Sequence, residues 1–271
     1  MWRLLENNWT LEKIENYKRA SVYTAFHKKL SVLVEPYLDE RWTLADIGCG
    51  LGLIDFYLAP MVRHITAIDN DEAAIRDLTQ HLDRIYFTNR ESAEKIAAEL
   101  ADANDLADRT WDAVALSFFG TSRETLDKLL PRARRRAFIF MYGRPPAAGP
   151  DPFADAGSNL TFSETESYLL EKGYAFKKNV MEMQFGQPFK TIEDIHTFLK
   201  EYGGSFGRDI ACIDLGADDA MDDAAIKRVT DAEERIIKTN RFDYPYYLPK
   251  SISAALFIIV KKTARDVSEG V

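Results

Sequence analysis

The sequence is poor in cysteine, carries no basic excess and has no long apolar run. Only two of its 271 residues are cysteine, Cys49 and Cys212. With no CxxC pair and no histidines at ligand spacing, they fit a reducing cytoplasm better than a disulfide framework or a zinc site. Lysine and arginine number 35 against 43 aspartate and glutamate, a net charge of −8. That balance argues against the broad basic face a nucleic-acid binder needs. The longest apolar stretch, "ISAALFIIV" (252–260), is strand-sized, and the charges scattered through "MWRLLENNWTLEKIENYKR" leave no signal-peptide core. These absences predict a cytoplasmic chain without membrane contact. No internal repeat is visible, and no cluster of His, Cys and acids predicts a metal. The one basic run, "PRARRR" (131–136), reads as the solvated end of a helix leading into a strand.

What is present is an ordinary globular composition, 46% hydrophobic and 29% charged. The length suits one large domain or one domain with an insertion. Apolar spacing predicts a helical start over 10–38 and then a repeated alternation of strands and helices. Strands are expected at 42–48, 64–70, 84–89, 111–120 and 136–143, with helices at 53–62, 71–83, 92–102 and 123–134. Apolar strands with little polar alternation imply a mostly parallel sheet covered on both faces. Residues 144–157 hold four of the ten prolines and read as a long surface loop. A helix capped by Ser163 and Glu166 should follow over 163–174, then a strand at 176–185 and a capped helix at 191–203. A helix at 223–240, a last strand at 253–262 and a polar tail complete the pattern.

"LADIGCGLG" (44–52) joins the first strand to the first crossover helix. The dinucleotide fingerprint GxGxxG fails here, because Leu53 stands where its third glycine belongs. The pattern present is Asp46, Gly48, Gly50 and Gly52, with Cys49 inside the turn. A carboxylate at Asp46 repels a pyrophosphate but suits an ammonium, and glycines let a ligand approach the backbone and leave amide N–H groups free. Asp69, followed by Asn70, closes the next strand and can accept two hydrogen bonds from a ribose diol.

On "LADIGCGLG", "ITAIDND" and "WDAVALSFFG" the chain resembles the class I S-adenosylmethionine-dependent methyltransferases, over residues 40–185 and the strand 253–262. The resemblance implies a doubly wound, Rossmann-like sheet of seven strands, mostly parallel with an antiparallel last strand. It divides the chain into an N-terminal helical lid (1–40), a cofactor-binding core (41–185), an inserted cap (186–250) and the last strand with its tail (251–271). It implies S-adenosyl-L-methionine as cofactor, bound by the glycine turn, Asp46 and Asp69. A polar residue after the third strand should meet the adenine. This places Asn89 or Glu91 there with backbone contacts from Ser92 and Ala93, unless these residues only cap a helix.

Ser117 and Phe118 follow the fourth strand where the methyl group would point, with Phe119 on the acceptor side. The Asn/Asp-Pro-Pro-Tyr signature of many nucleic-acid amino-methylating enzymes is absent there. Tyr142 and Arg144 end the fifth strand near the same mouth, and Arg144 would suit a carboxylate or phosphate. In the leading helix Tyr17, Tyr23 and His27 are lid candidates: a tyrosine on the methionine carboxylate and His27 as base, or an amphipathic helix with core-facing tyrosines and a surface histidine. "FDYPYYLP" (242–249) would wall a pocket or an oligomer interface such as a homodimer's. The acceptor expected is a small molecule. A protein or RNA substrate docked on "PRARRR", or a non-catalytic binding module, are the alternatives.

Overall fold

The computed structural model describes residues 9–106, 108–143, 159–206 and 234–261, without the side chains of 201–206. Arg144 and the proline-rich stretch after it, Cys212, residues 223–233 and the tail from 262 lie outside the described residues. The chain divides into two compact units, Met1–Phe26 with Glu182–Ile252, and His27–Met181 with Ser253–Val271.

The larger unit is built on a seven-stranded sheet. Its strands are β1 (Thr43–Ile47), β2 (His64–Asp69), β3 (Ile96–Leu100), β4 (Trp111–Ser117), β5 (Ala133–Gly143), β6 (Ala175–Gln184) and β10 (Ser251–Val260). They lie in the order β3-β2-β1-β4-β5-β10-β6. The first five pair in parallel, and β10 runs antiparallel to β5 from Ser253 opposite Gly143 to Val260 opposite Arg136. This is the Rossmann-like sheet expected, with the strands near 176–185 and 253–262 in the two closing places. Leu44, Ala45, Ile47, Ile65, Ala67 and Ile68 are all fully buried, as central strands covered on both faces must be. The strand order reverses between β1 and β4, which opens a crevice at the carboxyl ends of those strands.

The third strand is not at 84–89. The helix α4 (Glu72–Ile85) runs through the start of that stretch, and Tyr86 donates its N–H to Leu82. Phe87 beyond it is 90% exposed, so the apolar "IYF" run packs no core. A short helix α5 (Arg90–Lys95) follows, and β3 occupies residues that read as helix by their alanine, glutamate and leucine content. Pairing with β2, Ile65 opposite Ile96 to Asp69 opposite Leu100, overrides that propensity. The expected helix at 53–62 shrinks to α3 (Asp55–Leu58) and a 3₁₀ turn containing Pro60. Between β4 and β5 stands α6 (Arg123–Leu129). The later helix α7 (Phe162–Glu171) is capped two residues earlier than Ser163 predicts. Its cap is Thr161, which accepts from Glu164 N–H while Glu164 accepts from Thr161 N–H.

The leading helical stretch is two helices, α1 (Leu11–Thr24) and α2 (Phe26–Val34), broken where Ala25 takes a left-handed φ of 52°. The smaller unit contains α1, a helix α8 (Ile192–Phe206) and a three-stranded antiparallel sheet. That sheet is ordered β7 (Gln187–Phe189), β9 (Tyr246–Leu248), β8 (Ile237–Lys238). Its core is Phe189, Ile195, Phe198, Leu199 and Leu248. Of the helix expected over 223–240, the described residues 234–240 are not helical, and Ile237 pairs with Tyr247 instead.

Candidate functional site

The loop after β1 holds Gly48, Gly50 and Gly52 at φ of 73°, 53° and 62°. A non-glycine residue pays for this conformation at each position. A Cβ on Gly48 would overlap the Phe119 ring, and one on Gly52 would press on Leu78 at 2.8 Å. The turn is thus pinned between the loop after β4 and α4. Its amides are not left free, contrary to the sequence expectation. Gly48 and Cys49 donate to the carbonyl of Ile68, Gly52 to that of Cys49, and Gly50 to the Asp69 carboxylate at 2.7 Å.

Asp69 ends β2 and also accepts from Asp71 N–H at 2.9 Å. One backbone donor on each oxygen fixes the carboxylate and leaves further lone pairs facing outward. Burial raises its pKa from the usual carboxylate value, against backbone hydrogen bonds from Asp71, Gly50 and Asn70. Asp46 ends β1 with no solvent exposure, and burial lifts its pKa to about 7. The Ser117 hydroxyl and the Asp55 carboxyl stand beside it. Among the described residues, no N–H or hydroxyl reaches either oxygen of Asp46 at hydrogen-bonding geometry. A buried polar group left in that state costs free energy unless something meets it. The Cys49 thiol is pushed well above its ordinary value by burial and then by Asp55, Asp46 and Asp69, so it stays protonated.

A cleft of about 170 Å³ opens beside the turn, lined by Gly48, Asp69, Asn70, Ala101, Asp102, Ala103, Asn104, Phe119 and Lys128 among others. Asp102 follows β3 and accepts from Asn104 through both its backbone N–H (2.7 Å) and its side-chain amide (2.8 Å). Lys128 of α6 donates to Asn104 at 2.9 Å and to Glu124 at 2.8 Å. Sequence reasoning missed Asp102 to Asn104 and Lys128 because it placed the third strand too early. The available signal was the acid: β1 and β2 each bring an aspartate to their carboxyl ends, and Asp102 is the third in the series.

The residues expected at the adenine precede β3 and do not line this cleft. Asn89 caps α5 by accepting from Ser92 N–H at 3.3 Å, Ser92 is buried, and Glu91 pairs with Lys95 at 3.0 Å. Ala93 lines a separate hollow with Tyr86 and Ile96. Of Ser117, Phe118 and Phe119, Phe119 lines the cleft. Phe118 takes a φ of 58°, costly for a bulky side chain, and stacks on Tyr142 with centroids 3.9 Å apart. That turn of the backbone lays Phe119 on Gly48. His27 sits in α2, 6% exposed, and burial lowers its pKa to about 3, so the ring is neutral. Tyr17 and Tyr23 belong to the smaller unit. Tyr17 packs edge-on against Trp9 and Phe185, and Tyr23 stacks on Tyr247 at 4.8 Å under the Arg241 guanidinium.

This architecture has solved counterparts. YcgJ from Bacillus subtilis superposes with a TM-score of 0.53 at 14% identity, covering 88% of this chain and all of its own. A candidate methyltransferase from Bacillus halodurans gives 0.53 at 11% identity, with the same coverage. The chain has the class I methyltransferase fold. The [4+2]-cyclase SpnF shares that fold with a TM-score of 0.54 at 15% identity, over 87% of this chain and 82% of the cyclase. No family model matches the chain, and no curated protein matches it in sequence.

Proposed function

We propose that the chain is a methyltransferase that binds S-adenosylmethionine in the cleft beside the glycine turn. The observation that carries this reading is the buried Asp46 carboxyl, which has no hydrogen-bond partner among the described residues and stands at the glycine turn. It fits a ligand that brings an ammonium and has no pyrophosphate. Asp69, held by Gly50 and Asp71, presents its outward lone pairs to the ribose diol. Asp102 and the backbone of Ala103 take the adenine edge, in place of the stretch 89–93. The cofactor supplies an already activated methyl group on a sulfonium, so the chain's task is positioning and exclusion of water. Ser117, Phe118, Phe119 and Tyr142 wall the side where that group would face the acceptor.

A small-molecule acceptor is favoured by the state of the arginine run. Arg134 and Arg135 lie 3.5 and 3.4 Å from Asp112, and Arg135 and Arg136 stack over Trp42. These side chains sit at the amino ends of β4 and β5, opposite the end that carries the cleft, and their charge is partly neutralised. A second reading is favoured by SpnF: a cyclase on the same fold means that binding at this site and methyl transfer are separate claims.

Calorimetric titration with S-adenosylmethionine tests the binding claim. Wild type should bind, and Asp69→Ala should lose about a hundredfold in affinity, two hydrogen bonds to a charged acceptor being worth roughly 3 kcal/mol together. Absence of wild-type binding, or full binding by Asp69→Ala, would sink the reading.

A further inference from the structure

The cofactor reading gives Asp102 to the adenine and leaves a lysine from another element, at the same end of the cleft, without a task. Lys128 and Thr125 of α6 line the cleft together with Asp102 and Asn104 of the loop after β3. Asp102 caps the 3₁₀ turn Ala103–Asp105, its Oδ1 accepting from the Asn104 backbone N–H at 2.7 Å. A cap needs no more than that bond. The same oxygen also accepts from the Asn104 side-chain amide at 2.8 Å, and the amide oxygen in turn accepts from Lys128 Nζ at 2.9 Å. Lys128 is itself held by Glu124, one helical turn away, at 2.8 Å. An ammonium only donates and a carboxylate only accepts, so the Asn104 carboxamide between them can lie only one way round. Both Asn104 donors take Oδ1, which leaves Asp102 Oδ2 outside this chain of bonds. The Asn104 bonds foremost, then the Asn70 side chain and the Lys128 charge, hold the Asp102 carboxyl below its ordinary pKa. At neutral pH Asp102 is therefore an acceptor and never a donor.

We propose that Lys128, acting through Asn104, is a positioning residue that fixes Asp102 as a one-sided acceptor and so selects a 6-amino purine over a 6-oxo purine. This rests on the cofactor reading above. Adenine offers the free Asp102 oxygen an N–H donor from its 6-amino group, whereas hypoxanthine would set the lone pairs of its 6-oxygen against a carboxylate. The Asn104 amide is the one nearby group that could relieve that repulsion by turning its N–H toward the 6-oxygen. Lys128 opposes the turn by holding the amide oxygen from the other side of the cleft. Without the ammonium the amide is held at one end only, and the base-reading end loses part of its polarity.

The test is calorimetry of the full chain at pH 7.5 with S-adenosylhomocysteine and with S-inosylhomocysteine, which carries an oxygen in place of the 6-amino group. Wild type should prefer the adenosine ligand by about tenfold or more. Lys128→Met keeps the apolar stem of a half-exposed side chain and removes the ammonium. It should cut the preference about threefold, mainly by admitting the inosine ligand. Asn104→Ala removes the amide but keeps the backbone cap, and should cut the preference at least as far. Adding Lys128→Met to Asn104→Ala should then change nothing further, because the lysine acts through the amide. Should the Asn104 variants not fold, the ratio of the two ligands on Lys128→Met decides by itself. No preference in wild type, an unchanged ratio in Lys128→Met, equal losses for both ligands, or additive effects in the double variant would overturn the proposal. Failure of wild type to bind either ligand would instead bring down the cofactor reading on which it stands.

Discussion

Replacing Asp46 with asparagine should change how stability depends on pH. An aspartate that titrates near 3.8 unfolded and near 7 in the folded chain holds its proton longer when folded. Its contribution is complete below pH 4 and is lost as pH rises through 7. Each unit of that rise corresponds to about 1.4 kcal/mol, so the full loss is about 4 kcal/mol. Between pH 5 and pH 7 wild type should lose about 2–3 kcal/mol that Asp46→Asn keeps, because asparagine stays neutral and spares Asp55 a charged neighbour. Urea unfolding of both proteins at pH 5, 6 and 7, followed by tryptophan fluorescence, measures this. Trp42 and Trp111 report from the unit that holds Asp46. Taking the difference between the two proteins cancels every titration not coupled to Asp46, leaving that of Asp46 with its neighbours Asp55 and Asp69. A difference that stays constant within about 0.5 kcal/mol across that range would refute the argument, since the buried acid would then have an ordinary pKa.

Three further outcomes follow from the same geometry. Gly48→Ala should destabilise by about 1–3 kcal/mol through its positive φ and the overlap with Phe119, and adding Phe119→Ala should return part of that in a double-mutant cycle. Asp102→Ala should weaken S-adenosylmethionine binding about tenfold, whereas Asn89→Ala should cost about 1 kcal/mol of stability as a lost cap and leave affinity unchanged. Thr161→Ala should lower stability by about 1 kcal/mol by opening the capping box of α7, read as a fall of several degrees in Tm.

The parts of the fold that could be read from sequence are those where burial and local pattern agree. β1, β2 and β4 are short apolar runs ended by glycines or acids, and the glycine turn between β1 and α3 identified itself by Asp46 and its spacing. The third strand was not readable, because "IAAEL" carries helix-forming residues and lies at the edge of the sheet. Only pairing with β2 makes it a strand. That single displacement moved the expected adenine contacts to Asn89 and its neighbours, whereas the residues that follow β3 and line the cleft are Asp102 to Asn104. The conformation of Phe118 was equally invisible, since nothing in "SFFG" announces a phenylalanine at positive φ. Nor does the sequence show that Asp55, an ordinary first-turn acid by position, would be buried against Asp46.

The central claim is that the cleft between the glycine turn, β2 and the end of β3 is the S-adenosylmethionine site. A crystal structure with S-adenosylhomocysteine tests it most directly. The account predicts the ribose on Asp69, the adenine between Asp102 and Asn104, the ammonium on Asp46, and the Phe119 ring displaced from Gly48. A nucleoside seated against Asn89 to Ala93 instead, or a glycine turn without ligand at saturating concentration, would contradict it.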